Sequence, residues 1–148
     1  MAAVLPAATP TRRFMLDTHM ASLLIRGSSA PLKARLLSVQ MAQLCVSAVT
    51  QGELVYGLAR RPEASALRTA VREFLVRLDV LAWDSAASAR YGALRALLER
   101  LGIPLRNLDT LIAGHALATG AVLVTTIKRF AGSRGCGSKT GRWRDRVR

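Results

Sequence analysis

Acid is scarce in this chain: nine Asp and Glu stand against 22 Lys and Arg, a formal net charge of +13 over 148 residues. That balance argues against an acidic, solvating chain and favours encounter with polyanions, nucleic acid above all. Cysteine is nearly absent. Cys45 lies in an apolar run and Cys136 among glycines, with no CxxC spacing, so neither a zinc site nor a disulfide framework is expected, and the thiols fit a reducing cytoplasm. No apolar run reaches the roughly 20 residues of a membrane span. The opening "MAAVLPAATPT" has no basic start and is broken by Pro6 and Pro10, which speaks against a signal peptide. Aromatic residues make up only 5%, yet hydrophobic residues reach 51%, mostly Ala, Leu and Val. Such a composition suits one helix-rich domain that buries a core without staples.

Four apolar runs read as strands: "RRFMLD" (12–17), "QLCVSAV" (43–49), "LDVLAW" (78–83) and "AVLVTT" (121–126). Helical patterns lie between them. Leu67, Ala70, Val71, Phe74, Leu75 and Leu78 share a face after Pro62, which suits a helix's first turn. Tyr91, Leu94, Leu98 and Leu101 form a second stripe, opened by Asp84-Ser85 and stopped by Gly102 and Pro104. A third helix is expected from about Asn107 to Thr119, ending at Gly120. Strands alternating with helices predict βαβ units and an α/β fold with a mostly parallel sheet of four to five strands.

In such a fold the strand C-termini and helix N-termini share one edge, where ligands bind. Asp17 ends the first strand, Glu53 follows the second, Asp109 lies in the first turn of the last helix, and Thr125 ends the fourth strand. Each has a structural reading too. Thr50-Gln51-Gly52-Glu53 spells a capping box, Asp109 after the N-cap candidate Asn107 complements a helix dipole, and a strand-end Asp17 binds loop amides. Three carboxylates at one edge repel unless a cation neutralises them, and oxygen ligands without paired His or Cys select Mg²⁺, with Mn²⁺ the alternative. A basic protein with an acidic, metal-holding pocket is suited to phosphodiester hydrolysis.

The segments "FMLDTH", "VSAVTQGELVYGLAR" and "PLRNLDTLIAGHALATGAVLVTT" resemble, in order and spacing, the three signature segments of PIN-domain toxin ribonucleases, the VapC type of bacterial toxin–antitoxin modules. The resemblance covers about residues 14–125. It implies a PIN-like three-layer domain and a Mg²⁺-dependent endoribonuclease, a homodimer in the cytoplasm, that cuts structured RNA such as tRNA and is silenced by a cognate antitoxin. Carried over by position, Asp17 and Asp109 would hold the metal, and Glu53 would be the third acid, binding metal or orienting water. Thr125 and Thr18 would support them.

Two departures stand out. His19 occupies the place where relatives carry Asn. After "LVTT" the family's further acid is missing, since no Asp or Glu falls between Asp109 and Asp145. The alternative is therefore a catalytically impaired relative that binds antitoxin or RNA. The expected organisation is a flexible extension (1–11), the PIN-like domain (12–126) and a basic, Gly-rich tail (127–148) with a doubtful final strand. Residues 126–148 hold eight Lys and Arg against Asp145 alone. His115 and Trp83 read as core, whereas Arg60, Arg61, Arg106 and Trp143 read as solvated residues able to meet phosphate or a base. With no compact helix-turn-helix evident, a duplex-DNA-binding protein has little support.

Overall fold

The computed structural model describes residues 12–103 and 105–126. The expected extension (1–11), Pro104 and the basic tail (127–148), with Cys136, Trp143 and any fifth strand, lie outside the described residues. The elements are β1 (Phe14–Leu16), α1 (Thr18–Arg26), α2 (Ala30–Leu37), a 3₁₀ turn (Met41–Gln43), β2 (Leu44–Ser47), α3 (Ala48–Ala59), α4 (Ser65–Arg77), β3 (Asp79–Leu81), α5 (Ser85–Arg100), α6 (Asn107–Thr119) and β4 (Val122–Val124). The strands form one sheet of order β3-β2-β1-β4, with every pairing parallel.

Burial on both faces explains why β1, β2 and β4 are short apolar runs rather than alternating ones, whereas β3, at the sheet edge, starts on the exposed Asp79. Met15, Cys45 and Leu123 are level in register and pack on Ile112, Ala113 and Ala116 of α6. Their neighbours Leu16, Val46 and Val124 face the other way, against Met20 of α1, Leu36 of α2 and Phe74 of α4. The result is the expected three-layer α/β sandwich. From β1 the chain steps to β2 and β3, then returns through α5 and α6 to β4 on the far side of β1. The crevice at the C-terminal end of β1 is thus the point where strand order reverses, the favoured ligand position in such sheets.

Local starts and stops differ from the sequence reading in three places. The Thr50–Glu53 capping box does not form, because α3 begins three residues earlier: Ser47 is the N-cap, its hydroxyl accepting from Val49 N at 3.1 Å. Thr50 is then the third residue of the helix and Glu53 lies in its second turn, so neither stands where a capping box would need it. Asn107 is the first helical residue of α6 rather than its cap, a place taken by Arg106 without a side-chain bond. Pro62 lies in the turn ahead of α4, whose first residue is Ser65. The remaining signals agree: Asp84 accepts from Ala87 N at 2.8 Å to cap α5, and Gly102 and Gly120 take left-handed φ of 64° and 65° as the helices stop. The packing of α5 on α6 is close at Gly114, where a Cβ would lie 2.7 Å from Tyr91 Cα.

Candidate functional site

Asp17 leaves β1 in extended backbone, φ −72° and ψ 171°, and α1 begins at the next residue. It is therefore both strand end and helix cap. Its Oδ1 accepts from Met20 N at 2.7 Å, while the Thr125 hydroxyl, at the end of β4 alongside, bonds its carboxylate. The sheet makes this pairing local, since Asp17 N donates to Val124 O at 3.1 Å. The loop-amide role expected of a strand-end Asp is present, but it occupies one carboxylate oxygen of a residue that is only 4% exposed.

Burial pushes the Asp17 carboxyl above its ordinary value, Thr125, Met20 and the His19 charge pull it back, and the Glu53 charge pushes it up again. Asp109, half-buried in the first turn of α6, is likewise raised, chiefly by burial; Arg106 opposes this and the Asp17 charge adds to it. Asp17 thus feels both other acids. Glu53, in the second turn of α3, is held from across the crevice by the Thr18 hydroxyl, which donates to its Oε2. His19 is exposed in the first turn of α1 and acts on Asp17 through charge.

The five residues expected at the site, Asp17, Thr18, Glu53, Asp109 and Thr125, therefore come from β1/α1, α3, α6 and β4 to one edge. The three carboxylates do not close into a cage: among the described residues no group of three His, Cys, Asp or Glu side chains stands close enough to hold an ion. With Glu53 latched to Thr18, the donor set that remains is two buried-edge carboxylates and hydroxyl oxygens. That set matches Mg²⁺ chemistry, in which one or two carboxylates bind and water fills the rest of the octahedron.

Beneath the acids lies a polar pair that sequence reasoning assembled only by half. His115 of α6, 1% exposed, places Nδ1 2.8 Å from the Ser47 hydroxyl, and its ring donates to the Ala82 carbonyl. With one ring nitrogen donating to Ala82, Nδ1 is the acceptor and the serine donates. Burial lowers the His115 pKa, so the ring packs neutral, with Trp83 edge-on at 5.4 Å. His115 is core, as expected. Ser47, missed by the sequence reading, ties α6, which carries Asp109, to the start of α3, which carries Glu53. The signal available was its residue type, a favoured N-cap just ahead of an apolar helix. Thr50, fully buried beside it, has no partner for its hydroxyl oxygen among the described residues.

Comparison with known proteins adds family context to this geometry. The PIN domain profile matches residues 14–132. The chain is 35% identical over 117 residues to the tRNA(fMet)-specific endonuclease VapC of Shigella flexneri, covering 79% of this chain and 88% of that one. Among solved structures, DNA-bound VapBC from Salmonella typhimurium matches with a TM-score of 0.76 at 32% identity, over 84% of this chain and 95% of that one. VapBC2 from Rickettsia felis, bound to a DNA fragment from its promoter, gives a TM-score of 0.75 at 27% identity, over 83% and 94%.

Proposed function

Because the chain belongs to the PIN domain family, we propose that it is the endoribonuclease toxin of a type II toxin–antitoxin pair, hydrolysing RNA phosphodiester bonds in the cytoplasm with Mg²⁺ or Mn²⁺. The observation that carries this reading is the burial of Asp17 at the strand-order reversal, within the field of Glu53 and Asp109. Capping α1 accounts for one oxygen of Asp17, but acids crowded at one edge repel each other, and a bound cation would relieve that repulsion.

Asp17 and Asp109 are the residues that would hold the ion, which when bound supplies Lewis acidity toward a phosphate oxygen. Thr125 and the Met20 amide fix the orientation of Asp17 before any ligand arrives. Thr18 steers Glu53, leaving its other oxygen free to orient water and accept a proton. The name of the Shigella relative makes tRNA the first substrate to try. An antitoxin partner is supported by the VapBC assemblies and by an apolar groove of about 360 Å³ between α1, α2 and α4, lined by Leu24, Leu36, Val39 and Phe74. The homodimer expected from the family resemblance belongs to the same proposal.

A second reading rests on two observations: no acid occurs between Asp109 and Asp145, and no three-acid cluster is closed among the described residues. On it the chain is an impaired relative that still binds antitoxin or RNA. Purified protein incubated with tRNA, with and without Mg²⁺ or Mn²⁺, separates the two. Cation-dependent cleavage that disappears in Asp17→Asn supports the enzyme; RNA retention without cleavage under every cation supports the binding module.

A further inference from the structure

A second cleft, of about 300 Å³, opens on the outer side of the Thr18–Glu53 pair and runs between α1, α3 and α4. Leu54 and Val71 give it an apolar floor, and Tyr56 and three arginines, Arg26, Arg60 and Arg61, line it. We infer that this cleft is an RNA subsite, taking the nucleotide next to the scissile phosphate with its base against Tyr56 and its far phosphate on the arginines. The inference rests on the ribonuclease reading and deepens it.

Charge is the first argument. Elsewhere on the surface Arg13 pairs with Asp79 and Arg95 with Glu99, yet none of the three cleft arginines has an ion pair with a described carboxylate. Three guanidinium groups without a described carboxylate partner around one hollow leave a positive field, with Glu53 the only acid among the described residues of the wall and already bonded to Thr18. Helix ends alone explain part of this, because Arg26 and Arg60 stand at the C-termini of α1 and α3, where cations are favourable. They do not explain the aromatic. Tyr56 is 64% exposed, and the Arg60 guanidinium lies over its ring at 5.8 Å from the centroid. Together the two present the kind of flat surface on which unpaired bases stack.

Reach and size agree. Thr18, which follows Asp17, and Arg26 are the two ends of the α1 wall, a span of about 12 Å at 1.5 Å per residue. A strand whose reacting phosphate sits at Asp17 would lead along that wall to the arginines. The volume falls at the lower end of ligand pockets, fit for a single nucleotide rather than a duplex.

Fluorescence anisotropy with a labelled single-stranded RNA tests the assignment in the full-length Asp17→Asn protein, with EDTA present so that neither cleavage nor metal enters. Added to that background, Arg60→Ala/Arg61→Ala is expected to weaken binding at least about tenfold and to flatten the plot of log affinity against log salt by about 1.4, the value for two lost contacts to a single strand. Tyr56→Ala is expected to weaken it roughly five- to a hundred-fold. The same charge removed from the other face of the domain, Arg90→Ala/Arg100→Ala, is the control and should change binding much less. Equal effects from cleft and control pairs overturn the subsite. So does a cleft variant that binds RNA like its parent but no longer captures a VapB-type antitoxin. Failure of the parent to bind RNA at all strikes instead at the ribonuclease reading.

Discussion

Gly114→Ala adds one methyl group where α6 meets α5, and the added Cβ would stand 2.7 Å from Tyr91 Cα, 2.8 Å from Tyr91 N and 3.0 Å from Tyr91 Cβ. Carbon atoms in favourable contact sit about 3.5–4.0 Å apart, so the helices must separate by roughly 1 Å. The two nearest of these atoms are backbone and the third is a Cβ fixed to it, so none can turn aside. Overpacking of this kind costs about 1–3 kcal/mol, sometimes more, and the better helix propensity of alanine returns up to about 1 kcal/mol. A net loss of about 1–2 kcal/mol is expected, or a melting point lower by several degrees. Gly92→Ala on α5 is the internal control, since its Cβ would meet nothing within 4 Å. There only the propensity term acts, and stability should rise by up to about 1 kcal/mol. Urea melts of both variants, followed by circular dichroism, decide the matter. A Gly114→Ala protein as stable as wild type would refute the close α5–α6 crossing, and with it the seat of Asp109.

Asp17 carries a linkage prediction. Its carboxyl is raised in the folded chain, so its contribution to stability is full below the unfolded value of 3.8 and is lost as pH rises through the folded value. Asp17→Asn, which keeps an oxygen for the Met20 amide, should therefore abolish RNA cleavage while raising the melting temperature at pH 7; a lower melting temperature would contradict the burial argument. For the metal, millimolar Mn²⁺ should raise the melting temperature of wild type and leave Asp17→Asn unmoved, as binding to the native state alone requires. His115 has the opposite sign of linkage: its folded pKa is lowered, so its contribution is full above 6.5 and declines as pH falls through the folded value. His115→Ala should cost about 2–4 kcal/mol at pH 7 through the lost ring and the stranded Ser47 hydroxyl, and should flatten the acid limb of the stability profile.

Much of the site was legible because strand-ending and helix-starting acids carry their own signal. Asp disfavours strands, so an aspartate closing "FML" and another in the first turn of "NLDTLIAGHALAT" already marked the two sides of one edge. The double role of Asp17 was not legible, since nothing in "DTHMASLL" distinguishes a cap that also faces a ligand crevice from one that does not. The start of α3 was misplaced for a related reason: "SAVT" offers two cap residues, and the choice of Ser47 is made by where the chain leaves β2 and by His115, 68 residues away.

Composition, the βαβ order and the residues at each strand end were determined by the sequence itself, because hydrophobic periodicity and local turn chemistry act over a few neighbouring residues. Tertiary structure alone decided the strand order β3-β2-β1-β4, the Ser47–His115 tie, the gathering of Arg26, Arg60 and Arg61 on one cleft, and how nearly the three acids meet. Those depend on desolvation and on contacts between segments far apart in the chain, and neither has any trace in local spacing.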